Sequence, residues 1–338
     1  MNVLVIGGTG LISTGIVRQL VEAGHDVTAF HRGETTKPLP DSVEHIYGDR
    51  TEYDEFEARM ADLEVECVID MVCFQPADAR SAIRAFEGEI EQFIFCSTES
   101  VHSRPFESMP VGEDAPRAPA TTDYGANKAD CEDLFMDAHH DGAFETTIIR
   151  PWSTYGEGGS ILHTFGTETY YIDRIRRGKP IVVHGDGSGV WGPCHRDDVA
   201  RAFVNAVDNE RAFGEAYLVT SEENMSWRQY HRRVAEALDA PEPDLVQIPT
   251  DILRAVAPDR TTHLEDFLQY SAVFDNTKAK RDLDFEYTVD WETGVERTVA
   301  WLDDHDEIQD SDAVPFDDRL IDAWENARAD VLAQFEVS

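Results

Sequence analysis

Hydrophobic and polar positions in the first half of the chain follow two alternating periods. Short apolar, β-branched runs ("NVLVIG" 2–7, "DVTAFHRG" 26–33, "VEHIY" 43–47, "CVIDMV" 67–72, "QFIFCST" 92–98, "ETTIIRP" 145–151) are separated by helical spacing at 13–24, 79–86 and around 124–140. Runs that are apolar at successive positions suit strands buried on both faces, and strands separated by helices need crossover connections. The pattern predicts an α/β fold built on a doubly wound parallel sheet.

Beyond about residue 155 the pattern loosens. Gly and aromatic residues dominate through 191, followed by helical stretches near 197–208, 226–238 and 264–270. The expected organisation is a Rossmann-type nucleotide-binding domain over 1–155, with segments near 195–220 returning to it, and a smaller, mainly substrate-binding lobe over 156–302. The tail 303–338 reads as an acidic linker, "DDHDEIQDSDAVP", and a C-terminal helix. Phe316, Leu320, Ile321, Trp324, Ala327, Val331 and Phe335 form one apolar stripe on that helix, suited to packing or an oligomer contact.

Charge changes the picture of the surroundings rather than of the fold. The 338 residues hold 67 acidic and 29 basic side chains, a net charge of -38, and the imbalance runs along the whole chain. Lysine is confined to Lys37, Lys128, Lys179, Lys278 and Lys280. Self-repulsion on this scale favours concentrated salt, where the Debye length falls to ~3 Å at 1 M, so the composition reads as halophilic. Nucleic acid and anionic membranes are repelled, and neither is expected as a partner. No stretch approaches the ~20 apolar residues of a membrane span, and the chain opens on a strand rather than a basic, apolar leader, so a cytoplasmic location is expected. Cys67, Cys73, Cys96, Cys131 and Cys194 are scattered, with no CxxC pair, and read as reduced core thiols; no metal site is indicated.

The first strand runs into "GGTGLIS" (7–13). A strand, a glycine-rich turn and a helix present backbone N–H groups and the positive helix end to a pyrophosphate, with Gly7, Thr9, Gly10, Leu11 and Ile12 as the contacts. Ser13 stands where a third glycine is usual; it adds a hydroxymethyl group and can cap the helix. At the end of the second strand, where a carboxylate would hold a ribose 2′-OH, the chain has His31 and Arg32. A guanidinium suits a 2′-phosphate, so NADP(H) is favoured, with NAD(H) the alternative. In "GDR" (48–50), Asp49 can accept from the adenine amino group, with Arg50 beside it.

Tyr124 and Lys128 lie four apart in "YGANK", on one face of a predicted helix. A phenol is a poor base at neutral pH until a nearby cation favours the phenolate. Together, "GGTGLIS", "FCSTES" (95–100), "YGANK", "IIRPWSTYG" (148–156) and "HRDDVARAF" (195–203) resemble the extended short-chain dehydrogenase/reductases, specifically the NAD-dependent epimerase/dehydratase family, over most of the chain to about Leu302.

The resemblance implies that Tyr124 is the catalytic acid/base, that Lys128 lowers its pKa and holds the nicotinamide ribose, and that Thr98 steadies the substrate oxygen, with Ser97 next to it. It places Met71, Val72, Pro151 and Trp152 around the cofactor and Phe74, Glu99, Ser153, His163 and Trp191 near the substrate. The chemistry implied is hydride transfer at a carbinol carbon of a sugar or sugar derivative, in an epimerase, dehydratase or reductase, by a homodimer. Glu99, directly after Thr98, would be the extra acid of a dehydratase. Trp191 stands where nucleotide-sugar enzymes carry a diphosphate-binding arginine, and Ser153-Thr154 replaces a substrate-contacting asparagine, which points away from a nucleotide diphosphate.

"FHRG", "GDR" and "YYIDRIRRGKP" are closest to an atypical subgroup that includes chloroplast stem-loop RNA-binding proteins. That resemblance supplies the competing reading, a non-catalytic RNA-binding or cofactor-sensing protein. The acidic surface and the Tyr124–Lys128 pair weigh against it.

Overall fold

The alternation along the first strand is resolved into two cores. In β1 (Asn2–Ile6), Val3 and Val5 face one layer of helices, while Leu4 and Ile6 face another. The computed structural model describes residues 1–34 and 37–335. Strands β2 (Asp26–His31), β3 (Glu44–Tyr47), β4 (Cys67–Asp70), β5 (Gln92–Cys96), β6 (Glu145–Pro151) and the edge strand Glu215–Val219 complete a seven-stranded sheet. Its order is Glu215–Val219, β6, β5, β4, β1, β2, β3, and every pairing is parallel. This is the doubly wound Rossmann-type fold that the periodicity predicts.

On one face, α1 (Leu11–Glu22) contributes Ile16, Val17 and Leu20, and the helix Arg196–Ala206 contributes Val199, Ala200 and Phe203. On the other, α2 (Tyr53–Met60), α3 (Pro76–Phe86) and α4 (Asp123–His140) bury Phe56, Phe86, Cys131 and Phe135. The order of the sheet reverses between β1 and β4, so the crevice at their C-terminal ends is the place where ligands of such sheets bind.

This first unit comprises Met1–Tyr155, Gly192–Glu222 and Val273–Val289. The second comprises Gly156–Trp191, Glu223–Ala272 and the chain from Asp290 on. The second unit holds a parallel strand pair, Ile181–His184 with Leu245–Ile248, and an antiparallel pair, Val190–Trp191 with Met225–Ser226. Its core is aromatic: Trp227 contacts Trp191 and Tyr230, each at 5.0 Å between ring centres, and Tyr230 contacts Trp291 at 4.5 Å. The helix expected at 264–270 is a single π-helical turn, Leu264–Leu268, and the helices Trp227–Ala237 and Trp291–Asp304 carry the packing.

The acidic stretch 303–315 is not a free linker. Asp303 pairs with Arg176, Asp310 with Arg177, and Asp312 with both Arg177 and Lys179. The C-terminal helix, Phe316–Gln334, is anchored by Phe316 against Phe165 and by buried Leu320 and Ile321, after which Val331, Leu332 and Phe335 are exposed. No helix among the described residues is long and apolar enough to cross a membrane.

Candidate active site

The turn after β1 is built by Gly7, whose φ of +82° is closed to most side chains and whose position would bring a Cβ to 2.5 Å from Val72. Helix α1 then starts at Leu11 with Gly10 as its N-cap and no side-chain cap, so its end is open to an anion. Ser13 does not cap; it is buried inside the first turn, and the helix packs around it. The turn opens on a cavity of about 420 Å³ lined by residues that include Gly7, Thr9, Gly10, Val72 and Phe74. His31, Arg32, Glu34, Asp49 and Arg50 form its charged end. Leu11, Ile12 and Met71, also expected as contacts, are not part of this lining, and Ile12 and Met71 pack against the core.

The charged end is uneven. Arg32 is exposed and pairs with Glu34 at 2.9 Å. Asp49 accepts from Thr51 N at 2.9 Å and Thr51 Oγ1 at 2.7 Å, and those bonds hold its carboxyl below the usual range. His31 accepts the Gly33 N–H on Nδ1 and meets His45 through Nε2 at 2.9 Å; burial, then the His45 charge, lowers its pKa and keeps it neutral. Arg50, expected as a cofactor contact, lines the cavity and is also held from within the chain. It is buried and donates to Asp70 Oδ2 at 2.5 Å and to the Asp78 carbonyl at 2.9 Å. Asp70 in turn accepts from Val72 N, and Asp78 from the Phe74 and Gln75 N–H groups. Arg50 therefore fixes the end of β4 and the start of α3, which together carry Val72 and Phe74.

Tyr124 and Lys128 sit in the first two turns of α4, where Thr122 caps by accepting from Gly125 N at 3.0 Å. The Tyr124 ring is 42% exposed, but its hydroxyl end lies against Thr98, Cys96 and Glu99. That burial pushes the phenol up to about 12, the Cys96 and Glu99 charges add to it, and the hydrogen bond with Thr98 pulls it back. Lys128 is buried and donates from Nζ to the Cys73 carbonyl at 2.9 Å and the Cys96 carbonyl at 2.6 Å. Its ammonium lies 5.0 Å from the Phe74 ring centre and 6.0 Å from that of Tyr124.

Two other expected contacts are engaged by partners within the chain. Ser97 donates to Glu132 Oε1 at 2.6 Å inside a buried network in which Arg150 holds both Glu132 oxygens, so Thr98 is the hydroxyl beside Tyr124. Glu99 is fully buried, accepting from Arg104 at 2.5 Å and Ser100 Oγ at 2.9 Å. Burial raises its pKa while Arg104 opposes that shift. Both oxygens of the carboxylate expected to be a dehydratase-type acid are thus engaged within the chain.

The arrangement is a tyrosine, a threonine and a buried lysine gathered at the end of a parallel strand, with the lysine 5.0 Å from Phe74 of the cavity lining. The profile of the NAD dependent epimerase/dehydratase family matches residues 3–219. The chain belongs to this family. It is 30% identical over 241 residues to 2'-dehydrokanamycin reductase of Streptomyces kanamyceticus, covering 71% of this chain and 68% of that protein. It is 28% identical over 258 residues to the chloroplast stem-loop binding protein of 41 kDa b of Arabidopsis thaliana, covering 72% of this chain and 65% of that protein. Among solved structures, the fold matches UDP-glucose 4-epimerase from Bifidobacterium longum in complex with NAD+ and UDP, with a TM-score of 0.74 at 19% identity, over 91% of this chain and all of the other.

Epimerase/dehydratase family enzymes use a nicotinamide cofactor, and the first unit of this family member places the residues expected to meet one as follows. Gly7, Thr9, Gly10, Arg32, Asp49, Val72 and Phe74 share the cavity, and Thr98, Tyr124 and Lys128 form one cluster. Pro151 ends β6, and Trp152 is buried at 5.4 Å from Phe274 and 5.3 Å from the Arg104 guanidinium. Ser153 follows in a left-handed turn, φ +36°. His163 and Trp191 belong to the second unit, His163 stacked on Tyr171 at 5.1 Å and Trp191 buried against Trp227. Sequence reasoning missed Asp70, Asp78, Glu132 and Arg150, whose partners lie far away along the chain, and Arg104, which pairs with Glu99 only five residues before it.

Proposed function

We propose that this chain is an NAD(P)-dependent oxidoreductase or epimerase that transfers hydride at a carbinol carbon of a sugar or sugar derivative. The observation that carries the reading is the Thr98–Tyr124–Lys128 cluster beside the cavity of the glycine turn. Tyr124 gives or takes the hydroxyl proton, Thr98 holds the substrate oxygen, and Lys128, 6.0 Å from the Tyr124 ring centre, is the cation available to favour the phenolate against the burial that raises it. The uncapped start of α1, with Gly7, Thr9 and Gly10, fits the pyrophosphate, and Asp49 the adenine. A nicotinamide bound there supplies the hydride acceptor or donor. Arg32 favours NADP(H), with NAD(H) accepted. The internal pairing of Glu99 favours reductase or epimerase over dehydratase.

Similarity to a kanamycin-pathway reductase and to UDP-glucose 4-epimerases supports a sugar-type substrate. The composition supports a salt-adapted, cytoplasmic enzyme, and the family a homodimer. Similarity to the chloroplast stem-loop binding protein supports RNA binding as a second reading, which the net charge of -38 opposes.

The test is dinucleotide titration of the purified chain in molar KCl, followed by a sugar screen read at the nicotinamide absorbance. Tyr124→Phe is expected to abolish turnover with dinucleotide binding retained. Full turnover by that variant would refute the mechanism, and RNA binding that the substitution leaves unchanged would establish the second reading.

A further inference from the structure

The charged end of the cavity carries more than the proposed cofactor needs. Among the described residues that line it, the cations are Arg32 and Arg50, and Arg50 is committed to Asp70 and the Asp78 carbonyl. Only Arg32 is therefore placed to meet a further phosphate. It already has an anion: Glu34 lies 2.9 Å away, with both side chains about two-thirds exposed, at 63% and 67%. Asp49 lines the same cavity and is held ionised by Thr51. His31, neutral and bonded to Gly33 and His45, adds no positive charge.

We propose that Glu34 is a specificity-determining residue, because it occupies on Arg32 the place that a ribose 2′-phosphate would take. The inference rests on the reading of this cavity as a dinucleotide site. Binding of a 2′-phosphorylated dinucleotide is then an exchange of anions: the guanidinium leaves one carboxylate for a phosphate with more charge and three acceptor oxygens, while the released Glu34 stays close and repels it. A dinucleotide with a free 2′-OH leaves the Arg32–Glu34 pair intact. Discrimination between the two is narrower than an unopposed Arg32 would give, and a single acidic side chain sets the margin.

The experiment titrates the full chain, Glu34→Gln and Arg32→Gln with NADP+ and NAD+, and repeats it with 2′,5′-ADP against 5′-AMP to isolate the adenosine end. Two salt conditions are used, the lowest KCl at which the chain stays folded and molar KCl. Glu34→Gln is expected to tighten NADP+ and 2′,5′-ADP about fivefold, the upper range of one exposed ion pair, while NAD+ and 5′-AMP change by less than about twofold. The gain shrinks in molar KCl, where exposed charges are screened beyond ~3 Å. Arg32→Gln removes the preference for the 2′-phosphate.

An unchanged NADP+ to NAD+ ratio in Glu34→Gln, with Arg32→Gln still weakening NADP+, overturns the role of Glu34 and leaves the cofactor reading standing. A gain of undiminished size in molar KCl also overturns it, since Glu34 would then act through shape rather than charge. Failure of the unaltered chain to bind either dinucleotide overturns the cavity reading and this inference with it.

Discussion

Gly125, between Tyr124 and the rest of "YGANK", offers the sharpest test of how the proposed site is held together. A Cβ at this position would lie 2.2 Å from the Ser100 carbonyl oxygen, against 3.4 Å for ordinary contact. Gly125→Ala therefore demands a relative shift of about 1.2 Å between the start of α4 and the turn Glu99–Val101. Both partners are backbone, so no side-chain rotation relieves it. If α4 yields, Tyr124 and Lys128 move; if the turn yields, Thr98 moves. In each case the Thr98–Tyr124 hydrogen bond opens.

Overpacking of this kind costs roughly 1–3 kcal/mol. With an unfolding entropy of about 2.1 cal/mol/K per residue, 2 kcal/mol lowers the Tm of a chain this long by about 3 °C. Misplacement of reacting groups by about 1 Å costs on the order of 100-fold in rate. The assay pairs thermal melts in molar KCl with turnover on whichever sugar the screen identifies: kcat should fall about 100-fold while the dinucleotide Kd changes far less. A variant that melts with the wild-type Tm and turns over normally would refute the claim that this contact sets the geometry.

Burial holds His102 and His184 down to about 4 and His231 to about 3, so each contributes stability that is complete above the unfolded value of 6.5 and drains away as pH falls towards those folded values. Urea unfolding in molar KCl at about pH 5 should show a loss of roughly 2 kcal/mol per histidine relative to neutral pH, and a flat profile would exclude the effect. Arg104→Met strands the buried Glu99 and should cost about 3–5 kcal/mol, most of it recovered in the Arg104→Met/Glu99→Gln double variant; additive losses would show that the pair is not coupled. Arg50→Met should weaken dinucleotide binding by loosening Val72 and Phe74 without touching a ligand, a change that calorimetry reads as a higher Kd beside a lower Tm.

The parallel sheet and the glycine turn were legible because they depend on local period and on Gly at fixed places. The Tyr124–Lys128 pair was legible for the same reason, since four residues of helix bring both to one face. What was not legible depends on side-chain pairing that the periodicity does not encode, most of it with partners remote in sequence. Ser97 and Thr98 are equivalent on paper, and only Glu132, thirty-five residues on, claims one of them. Arg50 reads as a ligand contact until Asp70 and Asp78 fold beneath it. Glu99 reads as an acid until Arg104 returns across it. The helix Tyr53–Met60 escaped notice because only Phe56 and Met60 are buried in it. Polar residues announce chemistry; their pairing decides whether that chemistry faces outward.

The run Arg174 to Lys179 is the densest basic stretch of this acidic chain. In the fold it is a neutralised seam, with Asp303, Asp310, Asp312 and Asp318 set along it. A polyanion approaching that seam competes with carboxylates tethered nearby, whose effective concentration is on the order of millimolar. Brine that relieves the repulsion of the whole chain also screens this seam, so the grip on the C-terminal helix passes to Phe316, Leu320 and Ile321. The helix is thus fastened twice: by charge in dilute solution and by oil in brine.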